Sequence, residues 1–76
     1  MNGKNLSQLT LGQEAIIESI EDQSVYLKLL DLGCLPGEKI RLAFIAPLGD
    51  PIAIQVAGST LSLRIQDAKS IQIRLL

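Results

Sequence analysis

Apolar residues recur at every second position along most of this chain, which is the signature of half-buried β-strands. From Glu38 to Ala46, Ile40, Leu42 and Phe44 point one way and Lys39, Arg41 and Ala43 the other, with Ile45 then turning outward. Pro51 to Ala57 repeats the pattern with Ile52, Ile54 and Val56. Thr60 to Ile65 does so with Leu61, Leu63 and Ile65, and Ser70 to Leu75 with Ile71, Ile73 and Leu75. An earlier stretch, Gln13 to Ile20, alternates less regularly. Ala15, Ile17 and Ser19 share one face, and Ile16, Glu18 and Ile20 the other, so a bulge is expected near Glu18. One segment has a different period. Between Gln23 and Leu32, Val25, Leu29 and Leu32 fall on one helical face with Tyr26 and Leu30 beside them.

Turn chemistry separates these runs. Asp22 is placed to cap the helix, and Gly33 stands just past its end, where φ > 0 is common. Pro36-Gly37 suits the centre of a type II turn, since Pro presets φ and Gly accepts a positive one. Pro47-Leu48-Gly49-Asp50-Pro51 forms a stiff corner through which no helix or central strand can run. Asp50 precedes Pro51 and is biased toward extended geometry. Gly58-Ser59 marks a further turn, and Asp67-Ala68-Lys69 a short break of one helical turn. Near the start, Leu6, Leu9 and Leu11 read as an anchoring turn that lays leucines over the end of the sheet. The pattern thus predicts an all-β domain of five short strands with one helix inserted after the first. Closure into a small barrel would bury the strand edges, although periodicity also fits an open sheet with a helix on one face.

Length and composition narrow the function. The 76 residues make one small domain, 1–76. Hydrophobic content is 47% with only 3% aromatics, so the core must be aliphatic. Seven basic and eight acidic residues give a net charge of -1, which supplies no electrostatic funnel for nucleic acid, and two aromatics supply no stacking platform. No apolar run is long enough to span a bilayer and no signal-peptide pattern opens the chain, so direct membrane insertion is not expected and a soluble, intracellular protein is. No histidine is present, and neither serine nor cysteine has an evident base partner, so no catalytic residues and no enzymatic activity are expected. No cofactor is implied. Cys34 is a lone thiol, read as a small core residue rather than a metal ligand. Asp31 and Asp50 are too few to hold a hard cation and are assigned to nearby backbone donors, Asp50 within its own turn. Lys28, Arg41 and Arg64 are read as solvated, with Arg64 the one that could brace the barrel or a partner. The corner is the exception to this bland surface. Ile45, Pro47 and Leu48 bring three apolar side chains to one rigid bend, as a docking tip would.

Leu29-Leu30-Asp31-Leu32-Gly33, Leu35-Pro36-Gly37 and Ala46-Pro47-Leu48-Gly49-Asp50-Pro51 stand in an order that resembles the FeoA domain, protein A of bacterial ferrous-iron transport. Leu63-Arg64 followed by Ala68 and Ile71 is similar to that family's C-terminal pattern, and the resemblance runs from Leu6 almost to the end. It implies an SH3-like barrel with a helix after the first strand. It also implies a cytoplasmic accessory acting by contact with FeoB, the membrane GTPase that transports ferrous iron. The alternative it carries is a regulatory domain like those appended to iron- or manganese-dependent repressors, disfavoured by the lack of a winged-helix segment. Partner contact is assigned to Ile45, Pro47, Leu48, Gly49, Asp50 and Pro51, and to the helix face around Tyr26 and Lys28. Many family members carry Arg where this chain has Lys28, which keeps the charge but not the bidentate geometry. Strand edges beside a small barrel also permit self-association.

Overall fold

The computed structural model describes residues 4–76. Six strands form one antiparallel sheet: β1 (Lys4–Asn5), β2 (Glu14–Ile20), β3 (Lys39–Ile45), β4 (Ile52–Val56), β5 (Ser59–Leu63) and β6 (Ile71–Leu75). Helix α1 (Gln23–Leu30) lies between β2 and β3, and a single turn of helix, α2 (Ile65–Ala68), between β5 and β6. The spatial order is β1-β6-β2-β3-β4-β5. The expected five strands are all present. The sixth, β1, is two residues long and carries no alternation, so no pattern could announce it; it is recognised only by its pairing with β6, Lys4 opposite Ile73.

The sheet is not hydrogen-bonded into a closed barrel, since β1 and β5 are its edges. The ribbon folds round one core instead, and the turn of 3-10 helix after β1 (Leu6–Gln8) packs against α2, which follows β5. The two edges therefore meet through short helical turns rather than through a ladder. Leu6 and Leu9 are buried there as expected, whereas Leu11 is exposed.

Ile17, Leu42, Ile54, Leu63 and Ile73 are all buried, and with Ile40, Ile52, Val56, Ile71 and Leu29 they make an aliphatic interior without a single aromatic ring. The expected bulge near Glu18 is there: the β2–β6 register shifts between Ile17 and Ser19. A second bulge was not foreseen. The β3–β4 register shifts between Leu42 and Phe44, so Leu42 faces Ile54 but Phe44 faces Ala53. The extra residue, Ala43, reverses the alternation beyond it. Phe44, expected inside, is therefore 53% exposed.

Asp22 caps α1 as its position suggested, accepting from the backbone N–H groups of Ser24 and Val25. The helix ends two residues before the expected Leu32. The Gly33 N–H donates to the Leu30 carbonyl and the Cys34 N–H to the Leu29 carbonyl, the paired bonds of a Schellman ending, with Gly33 at φ +77. Leu32 is thereby lifted off the buried stripe of Val25 and Leu29 and is exposed. Ile65 does not complete the face of β5, because the chain turns at Arg64 and Ile65 opens α2.

Candidate functional site

The corner between β3 and β4 is built by two backbone hydrogen bonds. The Gly49 N–H donates to the Ala46 carbonyl at 2.8 Å, closing a turn over Pro47 and Leu48. The Ala46 N–H donates to the Pro51 carbonyl at 3.0 Å, which sets the corner squarely on the end of the β3–β4 ladder. The Asp50–Pro51 peptide bond is cis. Leu48 at the tip is 97% exposed, as expected for a side chain with no local structure to cover it. Ile45 is also exposed, and the Ala43 bulge adds Phe44 to the same end of β3. The apolar surface at this corner is thus larger than the alternation implied, because a residue counted as core stands outside.

Asp50 does not bond within its own turn. Its Oδ1 accepts from the backbone N–H of Ile65 at 3.1 Å, fifteen residues away, at the start of α2. This one contact fastens the corner to the segment that carries Arg64. Asp50, Pro51 and Arg64 together line a shallow open hollow beside the tip. Arg64 itself is exposed. Among the described residues its guanidinium makes no hydrogen bond or ion pair, so it braces nothing inside the domain. The other two arginines are engaged, Arg41 with Gln55 at 3.3 Å and Arg74 with Glu18 at 3.4 Å.

The helix face assigned to contact behaves differently. Lys28 Nζ lies 3.1 Å from Asp67 Oδ2, joining α1 to α2 across the surface. Tyr26 is half-buried. Lys28 is therefore already paired at the surface, whereas Leu48 at the corner has nothing resting on it.

Among the described residues, no three His, Cys, Asp or Glu side chains cluster as metal ligands would. Cys34 is fully buried beneath the helix end, and burial, aided by nearby Glu38, pushes its thiol up to about 11. A buried thiol held in its protonated form is a poor nucleophile at neutral pH. No helix among the described residues is long and apolar enough to cross a membrane.

A model of the FeoA domain matches residues 4–75, from the first strand to the last. The chain belongs to the FeoA domain family. Its family is one of ferrous-iron transport. A fusion protein of Porphyromonas gingivalis, described as Fe(2+) transport protein A/Fe(2+) transporter FeoB, is 35% identical over 72 residues. The alignment takes in 93% of this chain but 8% of the fusion protein, so the chain spans less than a tenth of that relative. Among solved structures, the FeoA protein of Chlorobium tepidum is 35% identical with a TM-score of 0.90, over 96% of this chain and 70% of that one. The FeoA of Stenotrophomonas maltophilia, solved with zinc and described as a procaryotic SH3 domain protein, is 32% identical with a TM-score of 0.80, over 92% and 88%. The fold of this FeoA domain is accordingly SH3-like, in the open form described above.

Proposed function

We propose that this FeoA domain is a non-enzymatic contact module of ferrous-iron uptake. It docks through the Phe44–Pro51 corner onto the cytoplasmic GTPase domain of a FeoB-type transporter. The observation that carries the reading is a fully exposed leucine on a turn held by backbone hydrogen bonds at both ends, with Phe44 and Ile45 exposed beside it. An apolar side chain left bare on a mobile loop would lose much of its contact energy to ordering; one on a preset turn loses little. The choice of partner is supported by the Porphyromonas gingivalis relative, in which the corresponding domain and a FeoB transporter are parts of one chain.

The test is calorimetric titration of the isolated domain with the FeoB GTPase domain, for the wild type and for Leu48→Asp. Leu48 touches too little of the domain to matter for folding, so the variant should melt with the wild type. Its binding should weaken by at least about 1 to 2 kcal/mol, the size of a modest anchor. If Leu48→Asp folds normally and binds as the wild type does, the corner is not the docking surface.

A further inference from the structure

The apolar corner does not stand alone, because Arg64 is fastened next to it. Arg64 is the only one of the chain's three arginines whose side chain finds no partner among the described residues. It shares a hollow with Asp50 and Pro51, the two residues that close the corner. Asp50 is the acidic residue of that hollow, yet its Oδ1 is occupied by the Ile65 N–H at 3.1 Å and makes no ion pair with Arg64. The same bond holds the start of α2, and with it Arg64, beside the tip. Nor does Arg64 serve α2 through its side chain: it stands at the helix N-cap, but no side-chain cap hydrogen bond is formed.

Resting on the docking reading above, we infer that Arg64 is the charged half of a two-point dock. The partner surface is then one that offers an apolar hollow to Leu48 and a carboxylate to Arg64. Charge complementarity argues for this occupant. A guanidinium presents paired donors that match a carboxylate, and arginine is enriched in protein interfaces where lysine is depleted. Three of the other six cations are paired with acids, Lys28 with Asp67, Lys39 with Glu14 and Arg74 with Glu18, whereas Arg64 has no ion-pair partner among the described residues. The Arg64 guanidinium is therefore open to an acidic group from outside, on a chain whose net charge is -1. A partner carrying a basic group there would be repelled, so Arg64 adds selectivity as well as attraction.

The experiment measures binding of the FeoB GTPase domain to the wild type, Arg64→Ala, Arg64→Glu and Leu48→Asp at low and high salt, with thermal unfolding of each. Since the Arg64 side chain holds nothing inside the domain, its variants should melt with the wild type. Should Arg64→Glu melt early, Arg64→Gln replaces it as the neutral isostere. Arg64→Glu should weaken binding by about tenfold or more, and Arg64→Ala should flatten the salt dependence. Leu48→Asp should weaken binding at every salt concentration. Arg64→Glu binding as well as or better than the wild type, while Leu48→Asp does not, would overturn the inference and leave the corner as the dock. A wild-type domain that binds at neither salt concentration would sink the docking reading and the inference with it.

Discussion

Replacing Asp50 by alanine removes one hydrogen bond and little else. Asp50 is exposed, so no cavity forms, and the two backbone bonds that close the corner, from Gly49 to Ala46 and from Ala46 to Pro51, are left in place. What goes is the acceptor for the Ile65 N–H, at 3.1 Å. Water can replace it at this exposed position, so the cost is that of an ordinary net hydrogen bond, about 0.5 to 1.5 kcal/mol. For a domain of this size each kcal/mol shifts the melting temperature by about 4 to 8 °C, so a fall of roughly 2 to 12 °C is expected. Asp50→Asn keeps an oxygen at the same place and should recover more than half of the loss. Circular-dichroism melts measure the stability, and amide exchange at Ile65 reports the bond itself: faster in Asp50→Ala, near wild type in Asp50→Asn. The same Ala variant loosens the spacing between Leu48 and Arg64, so it should also weaken docking, whereas Asp22→Ala, which frays α1 on another element, should destabilise without that effect. An Ile65 amide that exchanges at the wild-type rate in Asp50→Ala would refute the reasoning. So would an Asn variant as unstable as the Ala one.

Other expectations follow from single positions. Ala57 takes φ +51 beside Gly58 at φ +80, the two-residue turn that Asn-Gly fits best, so Ala57→Asn should raise the melting temperature. No change or a fall in a calorimetric scan would contradict that. Gly49 has φ +92 with open space where a Cβ would sit, so Gly49→Val should cost about 1 to 2 kcal/mol through backbone strain alone, read from urea unfolding. The Cys34 thiol titrates near 11 against an ordinary 9.0, so the stability it contributes is complete below the ordinary value and is lost as pH rises through the folded one. A thiol reagent at neutral pH should therefore react slowly with the folded domain and fully once it is unfolded. Zinc or ferrous iron titrated into the isolated domain should show no stoichiometric heat, and micromolar binding abolished by Cys34→Ser would show a site where none is expected.

The alternation was informative wherever one face of a strand is fully buried. Ile40, Leu42, Ile52, Ile54, Ile71 and Ile73 lie where their period places them, since a slip of one residue would put each of them in water. It misled at Phe44 because the bulge is made by Ala43, a residue small enough to sit on either side of a sheet. Leu32 was misplaced because the glycine that ends α1 also unwinds the turn before it. The corner was readable as rigid and exposed because proline and glycine act locally. Its connection to α2 was not: the donor is a backbone N–H, which every residue but proline carries, and only the folded chain brings Ile65 to Asp50. Arg64 was visible as a residue out of the ordinary, but its isolation depends on what the neighbouring charges do.

The pairing of the two-residue β1 with β6 has a consequence for tethering. Lys4 lies opposite Ile73, and β6 runs only to Leu75, so the first and last strands in sequence are neighbours. A linker leaving from either side of that pair starts from almost the same point. A partner joined through such a linker meets the corner at an effective concentration on the order of millimolar. A domain working as a separate chain has no such help, and its dock must be correspondingly tighter or its occupancy brief.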